Sequence, residues 1–305
     1  MTQGLAMHSK GTGPSSQTYI SQRLRLHYVD WGNEGAPPLL LIHGGRDHCR
    51  NWDWVAERLK DRFHIIAPDL RGHGDSAWAL GSSYGLLEFV ADIAQLVRQK
   101  QLAPVNIIAH SLGGNIALHY AGLYPDAVAR LVAIEGLGPS PAMLEKRRAI
   151  PPERRIGQWV DTLRDLSART PRKYATIEDA LKRMRDENPH LSEAQARHLT
   201  LHGVLQNEDG TYSWKFDNYV RAFSPVHLSA EESRALYGRI TCPTLLMRGM
   251  ESWASDPEAD GRAKAFSNAR VINVPNAGHW VHHDQLEVFM SHMDAFFAAP
   301  DGATA

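Results

Sequence analysis

Val105-Asn106-Ile107-Ile108-Ala109-His110-Ser111-Leu112-Gly113-Gly114-Asn115 is the stretch on which the fold turns. A continuous apolar run gives way to small residues and then to a helical pattern that continues to Ala121. A strand bending sharply into a helix holds one side chain out on a strained backbone. Its two arms come close together, so the neighbours must be small. Ala109 and Gly113 flank Ser111 at two residues on either side. The arrangement is that of a nucleophile elbow with Ser111 at its apex and Ala at the first small position. An ordinary strand–helix turn can carry the same residues, so the weight of the reading rests on the rest of the chain.

Composition sets the frame. With 305 residues, 43% apolar and 22% charged, the chain can bury a sizeable core as one large domain, or as a core with a smaller insertion. A net charge of −1 gives no general attraction to nucleic acid or anionic membrane, and Lys146-Arg147-Arg148 and Arg154-Arg155 read as solvated helix faces. Cys49 and Cys242 are too few for a disulfide scaffold. Residues 1–17 are rich in Gly, Ser, Thr and Gln and read as a flexible lead, neither signal peptide nor anchor. No apolar run approaches the ~20 residues of a membrane helix, and a cytoplasmic protein is expected.

Outward from the elbow, short apolar runs alternate with helical patterns. Leu24 to Val29 alternates and reads as a half-exposed strand; Leu39–Ile42 and Phe63–Ala67 read as buried strands. Trp52–Leu59 and Leu86–Arg98 carry apolar residues at helical spacing. After Leu131–Ile134 the alternation stops. It resumes at Pro243–Met247 and Val271–Val274 and closes on a helix with Leu286, Phe289, Met290, Met293, Phe296 and Phe297 on one side. The spacing predicts an α/β fold with a mostly parallel central sheet flanked by helices, its core spanning 18–137 and 238–305. Residues 138–237 lack any run resembling a buried parallel strand and read as an inserted helical cap. Helices are expected at Ile156–Ala168, Thr176–Asp186 and Ser192–Leu205, the last opened by a Ser192/Gln195 capping box.

A serine hydroxyl needs a base, an acid to orient that base, and donors for the oxyanion. Of 16 histidines, His279 in Asn276-Ala277-Gly278-His279-Trp280 sits between the last strand and the last helix, where a loop reaches back over the sheet edge. His282, His283 and Asp284 cluster with it, but they lack His-Glu-x-x-His spacing and a second ligand cluster, so no metal is expected. The amides of Leu112 and Gly45 are the oxyanion candidates. Glycine after His43-Gly44 lets the backbone approach a reacting carbonyl.

His43-Gly44-Gly45, Asp69-Leu70-Arg71-Gly72-His73-Gly74-Asp75-Ser76, the elbow and Ala277-Gly278-His279 occur in an order that resembles the α/β-hydrolase fold family. The likeness covers about 20–137 and 238–298. The cap segment is similar to that of the lid-bearing branch, including serine hydrolase-like proteins. The resemblance implies a cofactor-free serine hydrolase acting on small or medium carboxylic esters, with a small-molecule substrate. A carbon–carbon bond hydrolase or lyase, or a ligand-binding protein with little turnover, stands as the alternative. Many relatives carry an Asp three residues after the glycine ending the strand at 244; here Gly249 is followed at that distance by Ser252. Glu135, at the end of the strand at 131, is favoured as the acid, with Glu251 as the alternative. Asp69–Ser76 reads as a structural loop. Trp159, Trp214, Phe216, Tyr219, Phe223 and Trp280 are candidates for substrate walls or for packing of the cap itself.

Overall fold

A computed structural model of the chain describes residues 13–299 apart from 83, 223 and 227. Ten strands form in chain order: β1 (Ser15–Ser21), β2 (Leu24–Asp30), β3 (Pro38–Ile42), β4 (His64–Pro68), β5 (Val105–His110), β6 (Val128–Ile134), β7 (Val204–Gln206), β8 (Tyr212–Trp214), β9 (Thr244–Gly249) and β10 (Ala269–Val274). Ten helices accompany them: α1 (Asp53–Leu59), α2 (Leu86–Gln99), α3 (Leu112–Leu123), α4 (Pro141–Arg148), α5 (Pro152–Ser167), α6 (Ile177–Glu187), α7 (Glu193–Gly203), α8 (Ala230–Tyr237), α9 (Val281–Asp284) and α10 (Leu286–Ala298). Eight strands make one sheet in the order β1-β2-β4-β3-β5-β6-β9-β10. The pairs β1–β2 and β2–β4 are antiparallel and the rest parallel.

Two apolar layers sandwich the sheet. Alternate strand residues feed each of them: Leu40, Ile42, Ile107 and Ala133 pack under α2 and α3, while Leu39, Leu41, Ile108 and Val132 pack under α1 and α10. Residues of the inner parallel strands β3, β5 and β6 are therefore buried on both faces, which explains their near-continuous apolar sequences, while β10 at the edge stays largely half-buried. The register aligns the strand ends. Ile42 lies beside Ala109, His110 beside Ile134, and Ile134 beside Met247. The loops after β3, β5, β6 and β9 consequently leave the sheet side by side, where open parallel sheets place their ligands.

Several expectations are corrected. The strand partners of the sheet begin at Ser15, paired with Asp30, so residues 15–17 are ordered strand rather than lead; residues 1–12 lie outside the described residues. Leu26–Val29 in β2 is buried throughout instead of alternating, because β2 lies between two strands and its His27 bonds the buried Asp69 at 2.7 Å. The stretch between β6 and β9 is not wholly helical: β7 and β8 form an antiparallel hairpin, with Val204 packed against Tyr174 and Ala180. Its α4 has no buried residue, so no apolar stripe marked it. Helix α8 packs on α3, and Tyr237 joins the main core stacked on Phe266 at 5.0 Å, so by packing α8 belongs with the core. The Ser192/Gln195 capping box is present at the start of α7.

Asp69 anchors the loop after β4. Buried, it accepts from His27 Nδ1, from the Cys49 amide at 2.7 Å and from the Asp75 amide at 2.9 Å. Burial alone would raise its pKa, but the hydrogen bond from His27 and the neighbouring imidazoles outweigh that and hold it well below the ordinary range. Gly74 (φ 53°) must be glycine, since a Cβ there would sit 2.1 Å from the Asp69 carboxyl carbon.

Packing of α3 against the sheet end is equally tight. A Cβ on Gly113 would lie 2.4 Å from the Ile42 carbonyl oxygen and 2.5 Å from that of His43. Gly113→Ala should therefore cost roughly 1–3 kcal/mol, the usual penalty of overpacking, read as a lower urea midpoint; an unchanged midpoint would contradict this packing. Buried imidazoles set the acid response. Burial, foremost, lowers the pKa of His43 to about 3, of His73 to about 4 and of His283 to about 3. The unfolded chain protonates these groups near 6.5, so below that pH it takes up protons that the folded chain refuses, and stability falls by up to about 1.4 kcal/mol per pH unit for each. Asp47 and Asp284, whose carboxyls burial raises, act in the opposite sense but are fewer. Urea unfolding should show declining stability from pH 6.5 to pH 4.5; a flat or rising profile would refute the neutral-imidazole account.

Candidate active site

Ser111 occupies the turn between β5 and α3 with φ 52° and ψ −115°, a conformation that costs a non-glycine residue about 1–3 kcal/mol. Its amide bonds the Ile134 carbonyl at 2.8 Å and its carbonyl receives the Asn115 amide at 3.0 Å, which pins both arms of the bend. The small residues that permit this are Gly113, against the end of β3, and the pair Gly114 and Gly136, whose backbones meet. A Cβ on Gly114 would lie 2.6 Å from Gly136 Cα. Gly44 completes the enclosure, since a Cβ there would come within 3.2 Å of Ser111 Cβ.

His279 arrives from the loop between β10 and α9. Its Nε2 is 3.0 Å from Ser111 Oγ, and its Nδ1 is hydrogen-bonded to Glu135 Oε2. Residues from the end of β5, the end of β6 and the loop after β10 thus form one hydrogen-bonded line. Glu135 (φ 50°) follows β6 directly, tied by its amide to the Met247 carbonyl at 2.8 Å. Its side chain is fully buried, whereas that of His279 keeps 26% of its surface exposed. The carboxylate is well supplied with donors: the Gly249 amide reaches Oε1 at 2.9 Å and Ser252 Oγ donates to Oε2 at 2.6 Å. A buried carboxylate needs such partners to remain charged.

Glu251 stands apart from this line. Its side chain is half exposed and lies 3.9 Å from His190 Nε2. Ser252, at the position where an aspartate was expected, instead supports Glu135 through its hydroxyl. Sequence reading flagged the position for what it lacked and missed the role of the serine there.

Leu112 is the first residue of α3, so its amide has no acceptor within the helix. Gly45 lies against it, with an added Cβ 3.8 Å from Leu112 Cδ2. Among the described residues neither amide has a hydrogen-bond partner in the protein. Glycine is sterically demanded at Gly44 and not at Gly45, where a Cβ would meet only ordinary contact.

His110, buried beside the serine, donates from Nε2 to the His279 carbonyl at 2.9 Å and so fixes the loop that carries the imidazole. Burial, with His279 second, holds it neutral. The other members of the histidine cluster have structural partners. His282 bonds Asn51 at 2.6 Å and stacks on Trp52, while the Asp284 carboxylate accepts the Gly278 amide at 2.8 Å. Among the aromatic candidates, Trp214 packs on Tyr174 within the insertion, Tyr219 packs on the main core, and Trp280 lies 6.5 Å from the His110 ring. Phe223 lies outside the described residues. Trp253 escaped sequence reading; 71% exposed, it stands 5.1 Å from the His279 ring.

No described helix is long and apolar enough to cross a membrane. The family model of the α/β-hydrolase fold matches residues 37–286. A mouse sn-1-specific diacylglycerol lipase is 26% identical over 301 residues, covering 95% of this chain and 90% of its own length. An esterase of Mycobacterium tuberculosis is 25% identical over 276 residues, covering 90% and 86%. Among solved structures, E-2-(acetamidomethylene)succinate hydrolase superposes with a TM-score of 0.76 at 23% identity over 94% of this chain and all of its own. A hypothetical protein from Pseudomonas aeruginosa superposes at 0.81, with 23% identity over 93% and 99%. The two structural likenesses bear on the fold alone, and with the family match and the strand order they lead to one statement: this chain belongs to the α/β-hydrolase fold family.

Proposed function

We propose that this protein is a serine hydrolase that cleaves small or medium carboxylic esters through an acyl-enzyme on Ser111. The observation that carries the reading is the line from Ser111 Oγ to His279 Nε2 and from His279 Nδ1 to Glu135. Lipase- and esterase-named relatives support the ester substrate.

The proposed reaction uses these groups in turn. Ser111 Oγ attacks the ester carbonyl carbon while His279 Nε2 takes its proton. Glu135 accepts from Nδ1–H, holds the imidazole in the tautomer whose Nε2 is free to accept, and stabilises the imidazolium that forms. The carbonyl oxygen becomes an oxyanion and is met by the Gly45 and Leu112 amides, each worth about 2.7–4 kcal/mol by analogy with a single oxyanion donor. The tetrahedral species collapses, His279 gives its proton to the departing alkoxide, and the alcohol leaves. Water, deprotonated by His279, then attacks the acyl group; the second collapse returns the proton to Ser111 and releases the acid. The exposed face of Trp253 beside His279 supplies an apolar wall next to the leaving group.

Ser111→Ala should abolish hydrolysis of p-nitrophenyl butyrate with little change in melting temperature; retained turnover would remove Ser111 from the reaction. Glu135→Gln should lower kcat by about 10⁴, the cost of losing the acid that sets the imidazole tautomer, and Glu251→Gln should leave it nearly unchanged. Comparable losses in both variants, or a larger loss in Glu251→Gln, would overturn the assignment of the acid.

A further inference from the structure

Away from Ser111, three side chains converge where the insertion meets the core. His198 and His202 lie four residues apart on α7, on one face of the helix, with ring centroids 4.5 Å apart. Asp53 opens α1 in the core, and its Oδ2 is 3.1 Å from His198 Nε2. One donor atom from each of the three lies within 4.8 Å of the other two. We propose that Asp53, His198 and His202 bind a divalent transition-metal ion, with zinc as the reference ion, and that the ion clamps α7 of the insertion to α1 of the core.

The donor set is two imidazoles and one carboxylate, which suits zinc and its neighbours and leaves a position for water. Helical i,i+4 spacing presents both imidazoles to one ion without distorting the backbone. The His202 ring has both nitrogens open to a ligand. Among the described residues no group hydrogen-bonds them. His198 Nε2 now donates to Asp53 and to the Arg50 carbonyl at 3.2 Å, so ligation through that nitrogen requires the tautomer with the proton on Nδ1. The Trp54 ring, 4.7 Å away edge-on, restricts its orientation.

Two features shape the affinity. Arg50 bonds both oxygens of Asp53, through Nε to Oδ1 at 2.9 Å and to Oδ2 at 2.8 Å and through a terminal nitrogen to Oδ2 at 2.6 Å, so an incoming cation must displace one of these bonds. This weakens the site; the Arg50 side chain, 27% exposed, is the partner that turns aside toward solvent. The spacing matters as well. Ligands about 2.0–2.2 Å from a tetrahedral zinc stand roughly 3.3–3.5 Å from one another, less than the outer separation here. Binding draws the helices together, and this contraction is the physical content of the clamp.

A second cluster, His27, Cys49 and Asp69, is as closely grouped but has no capacity left. It is fully buried, two of the three donors to Asp69 are backbone amides that cannot move aside, His27 Nε2 is 2.8 Å from Ser16 Oγ, and burial raises the Cys49 thiol well above its ordinary pKa.

Calorimetric titration of the metal-stripped full-length protein with zinc chloride, in a non-coordinating buffer at pH 7, tests the site. The wild type should show one saturable event. His202→Ala removes no hydrogen bond, so it should keep its metal-free melting temperature and bind zinc at least about tenfold more weakly, the lower end of what losing even an outer-shell partner costs. Zinc should also slow proteolysis within residues 141–203 in the wild type but not in His202→Ala. No saturable binding, or equal affinity in His202→Ala, would overturn the site. So would a thiolate charge-transfer band in the cobalt-substituted protein, which would put the ion on Cys49. Zinc binding with unaltered proteolysis would overturn the clamp.

Discussion

The site depends first on backbone meeting backbone. Where α3 starts, glycines at 113, 114 and 136 allow the helix to touch the ends of β3 and β6 with no side chain between. That contact forces the turn at Ser111 into positive φ and sets the hydroxyl at the edge of the sheet. The strain of about 1–3 kcal/mol at Ser111, and the like amount at Glu135, is held by a fold that fixes both neighbouring strands through the Ile134 and Met247 carbonyls. Widening the contact would relax the turn and move the serine away from the imidazole.

Electrostatics are arranged around that edge in two ways. The Glu135 carboxylate is buried yet held by amide, hydroxyl and imidazole donors, so its charge is available to the imidazole at short range and low screening. The histidines behind it are kept neutral by burial, as His43, His110 and His282 illustrate. A shell of neutral imidazoles supplies directed hydrogen bonds without adding cations that would compete with His279 for the carboxylate.

The legible parts of the chain are those where one physical rule dominates. Residues buried on both faces of a parallel sheet read as apolar runs, and β3, β4, β5 and β6 stand within a few residues of their expected limits. Ser111, His279 and Glu135 were each singled out from position relative to a strand end, and the register of the sheet brings those ends together. Illegible elements answer to weaker or longer-range causes. Helix α4 is exposed all round, and the β7–β8 hairpin is three residues a side, too short for a period to appear. Ser252 and Trp253 sit in an irregular loop whose path is set by Glu135 and by Arg248 on the Ala254 carbonyl, partners that periodicity does not reveal. The pairing of His198 was invisible for the same reason, since its partner Asp53 is 145 residues away in sequence (198 − 53).

The central claim is that Ser111 is activated and faces a ready-made oxyanion site. A crystal structure of the protein treated with an alkyl fluorophosphonate tests it most directly. The account predicts phosphorus bonded to Ser111 Oγ and a phosphoryl oxygen within hydrogen-bond distance of the Gly45 and Leu112 amides. An unmodified Ser111, or an adduct whose oxygen turns away from both amides, would contradict it.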